Sequence, residues 1–160
     1  MAVDYYLKLD GIKGEAQAKG KENQISVIAW SWGAHQQGTT QFGGGSGAGR
    51  VDMGDLQVTH PIDASSPLLM SACCSGKHFD SATLVGRKVG GSALDFLTIT
   101  LNQVFITSVS MGGTHGGDEM PTENVTMSFA SVDYQYQPQG KDGAKQGGAI
   151  EMKWDNQKLA

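Results

Sequence analysis

The stretch LDFLTITLNQVFITSV, Leu94 to Val109, decides how this chain folds. It is rich in β-branched and aromatic residues, and Leu97, Ile99 and Leu101 recur at every second position, the period of a strand with one buried face. The apolar parity then changes to Val104 and Ile106, so a β-bulge is expected near Asn102 and Gln103, where it would re-aim the strand. The same change recurs in Asn124 to Gln137, where Val125, Met127 and Phe129 give way to Val132, Tyr134 and Tyr136. Long strands that bend part-way suit a sheet curling into a closed barrel.

Other strand patterns surround these two. Tyr5 to Leu9 alternates, Val51 to Thr59 and Phe79 to Lys88 read as strands, and Ile150 to Trp154 reads as a short edge strand. In Gln24 to Gly33 the even positions are Ser26, Ile28, Trp30 and Trp32 and the odd ones Ile25, Val27, Ala29 and Ser31. Neither face is polar, so both are expected to be covered by protein or by a subunit contact. One helix is signalled at about Pro67 to Ser75. Ser66 is its expected N-cap, Pro67 its first residue and Gly76 its left-handed terminator. Leu68, Leu69, Ala72 and Cys73 supply the apolar face, and Lys77 and His78 follow the last turn. The fold class expected is mainly β: a small closed antiparallel β-barrel with one flanking α-helix and a long Gly-rich extended loop.

A chain of 160 residues, 39% of them hydrophobic, is long enough for one core, so residues 1–160 are expected to form a single domain. Twelve basic against 16 acidic residues, net charge −4, argue against a nucleic-acid surface, and no apolar run is long enough to span a bilayer as a helix. The opening MAVDYYLKLDGIKG lacks the pattern of a secretory signal. Cys73 and Cys74 are adjacent, which disfavours a bond between them, and they read as reduced, packable residues of a protein made in a cytoplasm.

The run QFGGGSGAGRVD, Gln41 to Asp52, lacks the Lys-Ser/Thr ending of a phosphate-binding loop, and a strand rather than a helix follows it. Its plain reading is a surface loop. The four histidines, His35, His60, His78 and His115, have no paired ligand spacing, so no metal is expected. His115 with Asp118 and Glu119 reads as a solvated turn. No nucleophile elbow is present, and Cys73 falls on the buried face of the helix while His78 lies past its end. No catalytic constellation emerges, and neither an enzyme activity nor a cofactor is expected.

Taken together, VDYYLKLDGIKGE, AWSWG at 29–33, FGGGSGAGRVDMGDL at 42–56, SSPLLMSACCSGKH at 65–78, TITLNQVFITSVSMGG at 98–113 and PTENVTMSFASVDYQYQPQ at 121–139 closely resemble, in this order, the Hcp (haemolysin-coregulated protein) family. The resemblance implies a barrel whose homohexameric rings stack into the inner tube of the bacterial type VI secretion system. It implies a VgrG spike at the tip, a contractile sheath outside, and small secreted effectors in the lumen. It also implies synthesis in the bacterial cytoplasm and export by the machine itself. On this reading Gln41, Phe42, Gly43, Gly44, Gly45, Ser46, Gly47, Ala48, Gly49 and Arg50 supply ring and stacking contacts, since glycines let backbones approach closely and Arg50 can anchor to a carboxylate or carbonyl. Ser31 is the expected lumen residue, on the face opposite the packed Trp30 and Trp32. The alternative is a secreted monomeric β-barrel binding module.

Overall fold

A computed structural model of the protein describes residues 2–38 and 49–160. Gln41 to Ala48 of the Gly-rich loop lie outside the described residues. Ten strands and one helix follow in the order β1 (Val3–Leu9), β2 (Ile25–Val27), β3 (Ala29–Ser31), β4 (Ala34–Gln36), β5 (Val51–Met53), β6 (Leu56–Pro61), α1 (Ser66–Ser75), β7 (His78–Lys88), β8 (Leu94–Met111), β9 (Thr122–Tyr136) and β10 (Ile150–Asp155). The main sheet runs β2-β1-β7-β8-β9-β6-β3, antiparallel throughout, with β10 added to β9. Its two outermost strands, β2 and β3, are consecutive in the chain, separated by Ile28 alone. The sheet therefore curls until one segment serves both its ends, and the Ile28 N–H donates to the Thr59 carbonyl at 2.8 Å where the ends meet. This is the barrel that the strand parity predicts.

Leu7, Leu56, Leu84, Ile99, Leu101, Val104 and Met127 fill the barrel with at most 1% exposure. The buried positions change parity in three neighbouring strands at one level. They run from Phe79 to Ala82 in β7, from Val104 to Leu101 in β8 and from Phe129 to Val132 in β9. The predicted bend is thus present, but it is not a bulge. The pairings Ser81 with Asn102 and Phe79 with Val104 keep one register, as do Asn102 with Ser131 and Val104 with Phe129. Gln103 instead takes a left-handed φ of 54°, and one residue in each strand is passed over together. True register shifts fall elsewhere, at Gly86/Arg87 and at Ile106/Ser108.

Three other local expectations are corrected. Val51 to Thr59 is not one strand: Gly54 and Asp55 divide it, and a Cβ on Gly54 would lie 2.9 Å from the Gly33 carbonyl oxygen. Gln24 to Gly33 breaks at Ile28, where burial passes from Ile25 and Val27 to Trp30, and Ile28 itself is 58% exposed. Within one chain, then, the outer face of this segment is uncovered. The helix begins one residue earlier than its sequence signal. Ser65 is the N-cap, and the Ser66 hydroxyl accepts the Asp63 N–H at 3.0 Å. Leu69 and Ala72 are buried and Cys73 packs on the core, whereas Leu68 faces outward. Gly76 terminates the helix at φ 69°, as predicted, and Cys73 and Cys74 are both free thiols.

An ion cluster fastens the loop after β1 to the β7–β8 hairpin. Lys21 Nζ reaches Asp95 at 3.1 Å, Arg87 Nε reaches it at 2.8 Å, and Arg87 Nη1 donates to the Lys19 carbonyl at 2.7 Å. Burial opposes ionisation of Asp95, but the hydrogen bonds from Arg87 and Lys21 outweigh it and hold the carboxyl below its ordinary value. A depressed native pKa stabilises the fold above the unfolded value near 4 and ceases to do so as pH falls through the native one. Asp95→Asn is expected to cost about 1 kcal/mol at neutral pH, a modest figure because the site is partly solvated. In urea titrations the gap between the variant and the parent should close as pH falls below about 4; a gap independent of pH would contradict this role.

Candidate channel-lining face

The barrel wall formed by β3, β6, β9 and β8 has two contrasting surfaces. Inward, the ladder of β6 on β9 sets Leu56 opposite Met127, Val58 opposite Val125 and His60 opposite Glu123. Outward, it sets Gln57 opposite Thr126 and Thr59 opposite Asn124. Pairing with β3 adds Ser31 beside Gln57 and Ala29 beside Thr59, and pairing with β8 adds Ser108 beside Thr126 and Ser110 beside Asn124. Two rows cross the wall, Ser31–Gln57–Thr126–Ser108 and Ala29–Thr59–Asn124–Ser110. None of these eight residues is charged, and none is buried.

The rows bond sideways rather than into the core. Ser31 Oγ donates to Gln57 Oε1 at 3.3 Å, and Thr59 Oγ1 donates to Asn124 Oδ1 at 2.6 Å. They line a shallow concavity of about 400 Å³. The register shift at Ile106/Ser108 has a consequence here. With Thr107 passed over, Ser108 and Ser110 join the outward face while Val104 and Ile106 remain inside. Thr107 Oγ1 lies 3.0 Å from both the Asp55 carboxylate and the Thr126 carbonyl, which holds the bulge.

Ser31 stands on this wall because its neighbours are anchored behind it. Trp30 packs edge-on against Tyr5, with ring centroids 5.8 Å apart. Trp32 meets Phe129 at 6.3 Å and Tyr134 at 6.1 Å, and its Nε1 donates to the Gly54 carbonyl at 3.0 Å. Both indoles are half-buried and Ser31 is exposed. Of the other predicted contact residues only Gly49 and Arg50 are described. Gly49 accepts a hydrogen bond from Gln36 Nε2 at 2.8 Å, beside the β4–β5 hairpin that forms the base of the Gly-rich loop. Arg50 is exposed and, with Asn156 and Leu159, borders an open hollow. Ser31 and Arg50 therefore belong to different surfaces.

Such a wall offers many weak donors and acceptors without fixed charge, and no nucleophile with a base. Among the described residues no three His, Cys, Asp or Glu side chains converge on a metal-sized site, and no helix is long and apolar enough to cross a membrane. The sequence matches the family described as Type VI secretion system effector, Hcp, over residues 6–136. The chain belongs to the Hcp family. It is 49% identical to the protein hcp1 of Pseudomonas aeruginosa over 156 residues, 97% of this chain and 96% of that one. Its fold matches that of a type six secretion system protein with a TM-score of 0.94 at 29% identity, covering 99% of each chain. Hcp1 from Salmonella typhimurium superposes with a TM-score of 0.80 at 34% identity, over 100% of this chain and 99% of that one. The Hcp resemblance carried by the six sequence blocks is thereby established, and with it a place among type VI secretion proteins, a family of structural rather than enzymatic type.

The Hcp resemblance together with strand alternation brought Ser31 forward and missed its row partners. A signal for them was present: Gln57/Thr59, Ser108/Ser110 and Asn124/Thr126 are polar residues two apart in three strands, each interleaved with residues of the apolar face. The buried pair His60 and Glu123, with Nε2 to Oε1 at 2.7 Å and no exposure of either side chain, was not anticipated. The turn from His115 to Glu119 is exposed, as its sequence suggests.

Proposed function

We propose that this Hcp-family chain is the subunit of a hexameric ring, that the rings stack into the expelled inner tube, and that the uncharged β3–β6–β9–β8 wall lines the channel. The observation that carries the reading is the pair of crossing rows that includes Ser31. A wall of small hydroxyl and amide side chains is neutral towards cargo of either charge and forms weak, reversible hydrogen bonds. That suits a passage that must hold small effectors and later release them. The VgrG spike at the tip and the contractile sheath outside are the partners this role requires, and the machine would carry the subunit out of the cell.

Ring formation gains support from the uncovered apolar residues at separate places on the barrel, such as Ile28 and Ile150, 58% and 66% exposed. Contacts between two different patches generate rings when the rotation closes. Gly49 and Arg50, at the base of the Gly-rich loop, would continue from the hairpin toward an adjacent subunit, together with Gln41 to Ala48.

Ser31→Arg tests the channel assignment, because it sets a long cation at the end of the Ser31–Gln57–Thr126–Ser108 row without touching the core. Rings should persist, while effector recovered with purified rings should fall by about tenfold, equivalent to roughly 1.4 kcal/mol. Equal recovery from parent and variant would remove Ser31 from the cargo surface.

A further inference from the structure

The inner face of the sheet continues beyond the barrel onto β10, where Met152 pairs with Tyr134 and Ile150 with Tyr136. These four side chains are 37–66% exposed. The opposite face of β10 is charged and self-satisfied, with Lys153 paired to Glu151 at 3.0 Å. Beside the apolar face, the loop leading into β10 carries the exposed Lys141 and Lys145, while its acidic residue, Asp142, accepts the Ala144 N–H at 3.1 Å. With two lysines against one aspartate, this apolar end carries a rim of net charge +1.

At the far end of the same ribbon the β8–β9 hairpin tip has the complementary character. Met111 and Met120 are 49% and 66% exposed, and Asp118 and Glu119 stand beside Met120 in a turn that also holds His115. Among the described residues none of Asp118, Glu119, Lys141 or Lys145 makes an ion pair within the chain. The 15 residues of β9 separate the two ends, about 45 Å at the rise of a strand. The tip therefore cannot fold back onto its own β10. Like pairing with like is disfavoured as well, since tip against tip opposes carboxylates and β10 against β10 opposes lysines.

We infer that the hairpin tip around Met120 of one copy docks on the Tyr134–Tyr136–Ile150–Met152 face of the next, with Asp118 and Glu119 meeting Lys141 and Lys145. The contact is head-to-tail, joins copies of this chain only, and gives the His115–Glu119 turn a role. It rests on the reading that the chain self-associates, and it specifies which surfaces do so.

Charge exchange in the full chain tests it by sedimentation velocity across a concentration series. Asp118→Lys with Glu119→Lys, and separately Lys141→Glu with Lys145→Glu, should each weaken association at least about tenfold. The four exchanges together make the ends complementary again and should restore it. Association of the parent with no effect of either exchange, or without recovery in the combined variant, would overturn this contact and leave the ring reading standing. A parent that stays monomeric at every concentration would overturn both.

Discussion

Glu123→Leu is expected to lower the free energy of unfolding by about 3–5 kcal/mol, the range for breaking a buried pair from one side. Glu123 and His60 are wholly enclosed and are joined by a hydrogen bond of 2.7 Å. His60 Nδ1 makes no hydrogen bond and lies 3.9 Å from the Asp63 carboxylate, so the loss of Glu123 leaves the imidazole without a close partner. Asp63 is already engaged, accepting the Ser65 N–H at 2.8 Å and the Ser65 hydroxyl at the start of α1. Removing the carboxylate should therefore loosen the junction of β6, β9 and the helix. The double variant His60→Leu/Glu123→Leu should recover much of the loss, because it extends the Val58–Val125 rung with apolar groups. Urea unfolding of the parent, Glu123→Leu, His60→Leu and the double variant gives the coupling directly. A single variant within about 1 kcal/mol of the parent, or a double variant worse than the sum of the singles, would contradict this role.

Trp32→Ala is expected to cost about 3 kcal/mol, near the lower end for tryptophan truncation because the indole is only half-buried. Trp32 ties the end of β3 to two other parts of the wall: it packs on Phe129 and Tyr134 of β9 and donates to the Gly54 carbonyl just before β6. Its loss removes the ring contacts and leaves that carbonyl without its donor. Trp32→Phe keeps most of the packing and should cost only about 1 kcal/mol, the net worth of one hydrogen bond. Equal destabilisation by the two substitutions would mean that the indole N–H, rather than packing, carries the effect. Since Trp32 also holds the backbone next to Ser31, the alanine variant should lose cargo together with stability, whereas Ser31→Arg should lose cargo alone.

Much of the architecture was legible because a strand writes its buried face into the sequence with a period of two. β1, β7, β8, β9 and β10 follow from that pattern, and the parity change around Gln103 locates the bend. Its mechanism was not legible. A parity change records that one residue has been passed over, and only the register of the neighbouring strands tells a bulge in one strand from a bend shared by three. The division of β5 from β6 rests on the approach of the Gly33 carbonyl to Gly54, a tertiary contact that carries no local signal. His60 and Glu123 stand 63 residues apart, and each reads alone as a polar residue that ought to be exposed. Of the candidate polar wall only the outward direction of Ser31 was legible, from alternation; the rows form only when β3, β6, β9 and β8 come into register.

Negative-stain electron microscopy of the purified protein at micromolar concentration shows at once whether this chain builds an open ring. Six-fold rings with an open centre are expected. Uniform small particles that persist as concentration rises would contradict this, and would favour a monomeric barrel acting as a secreted binding module.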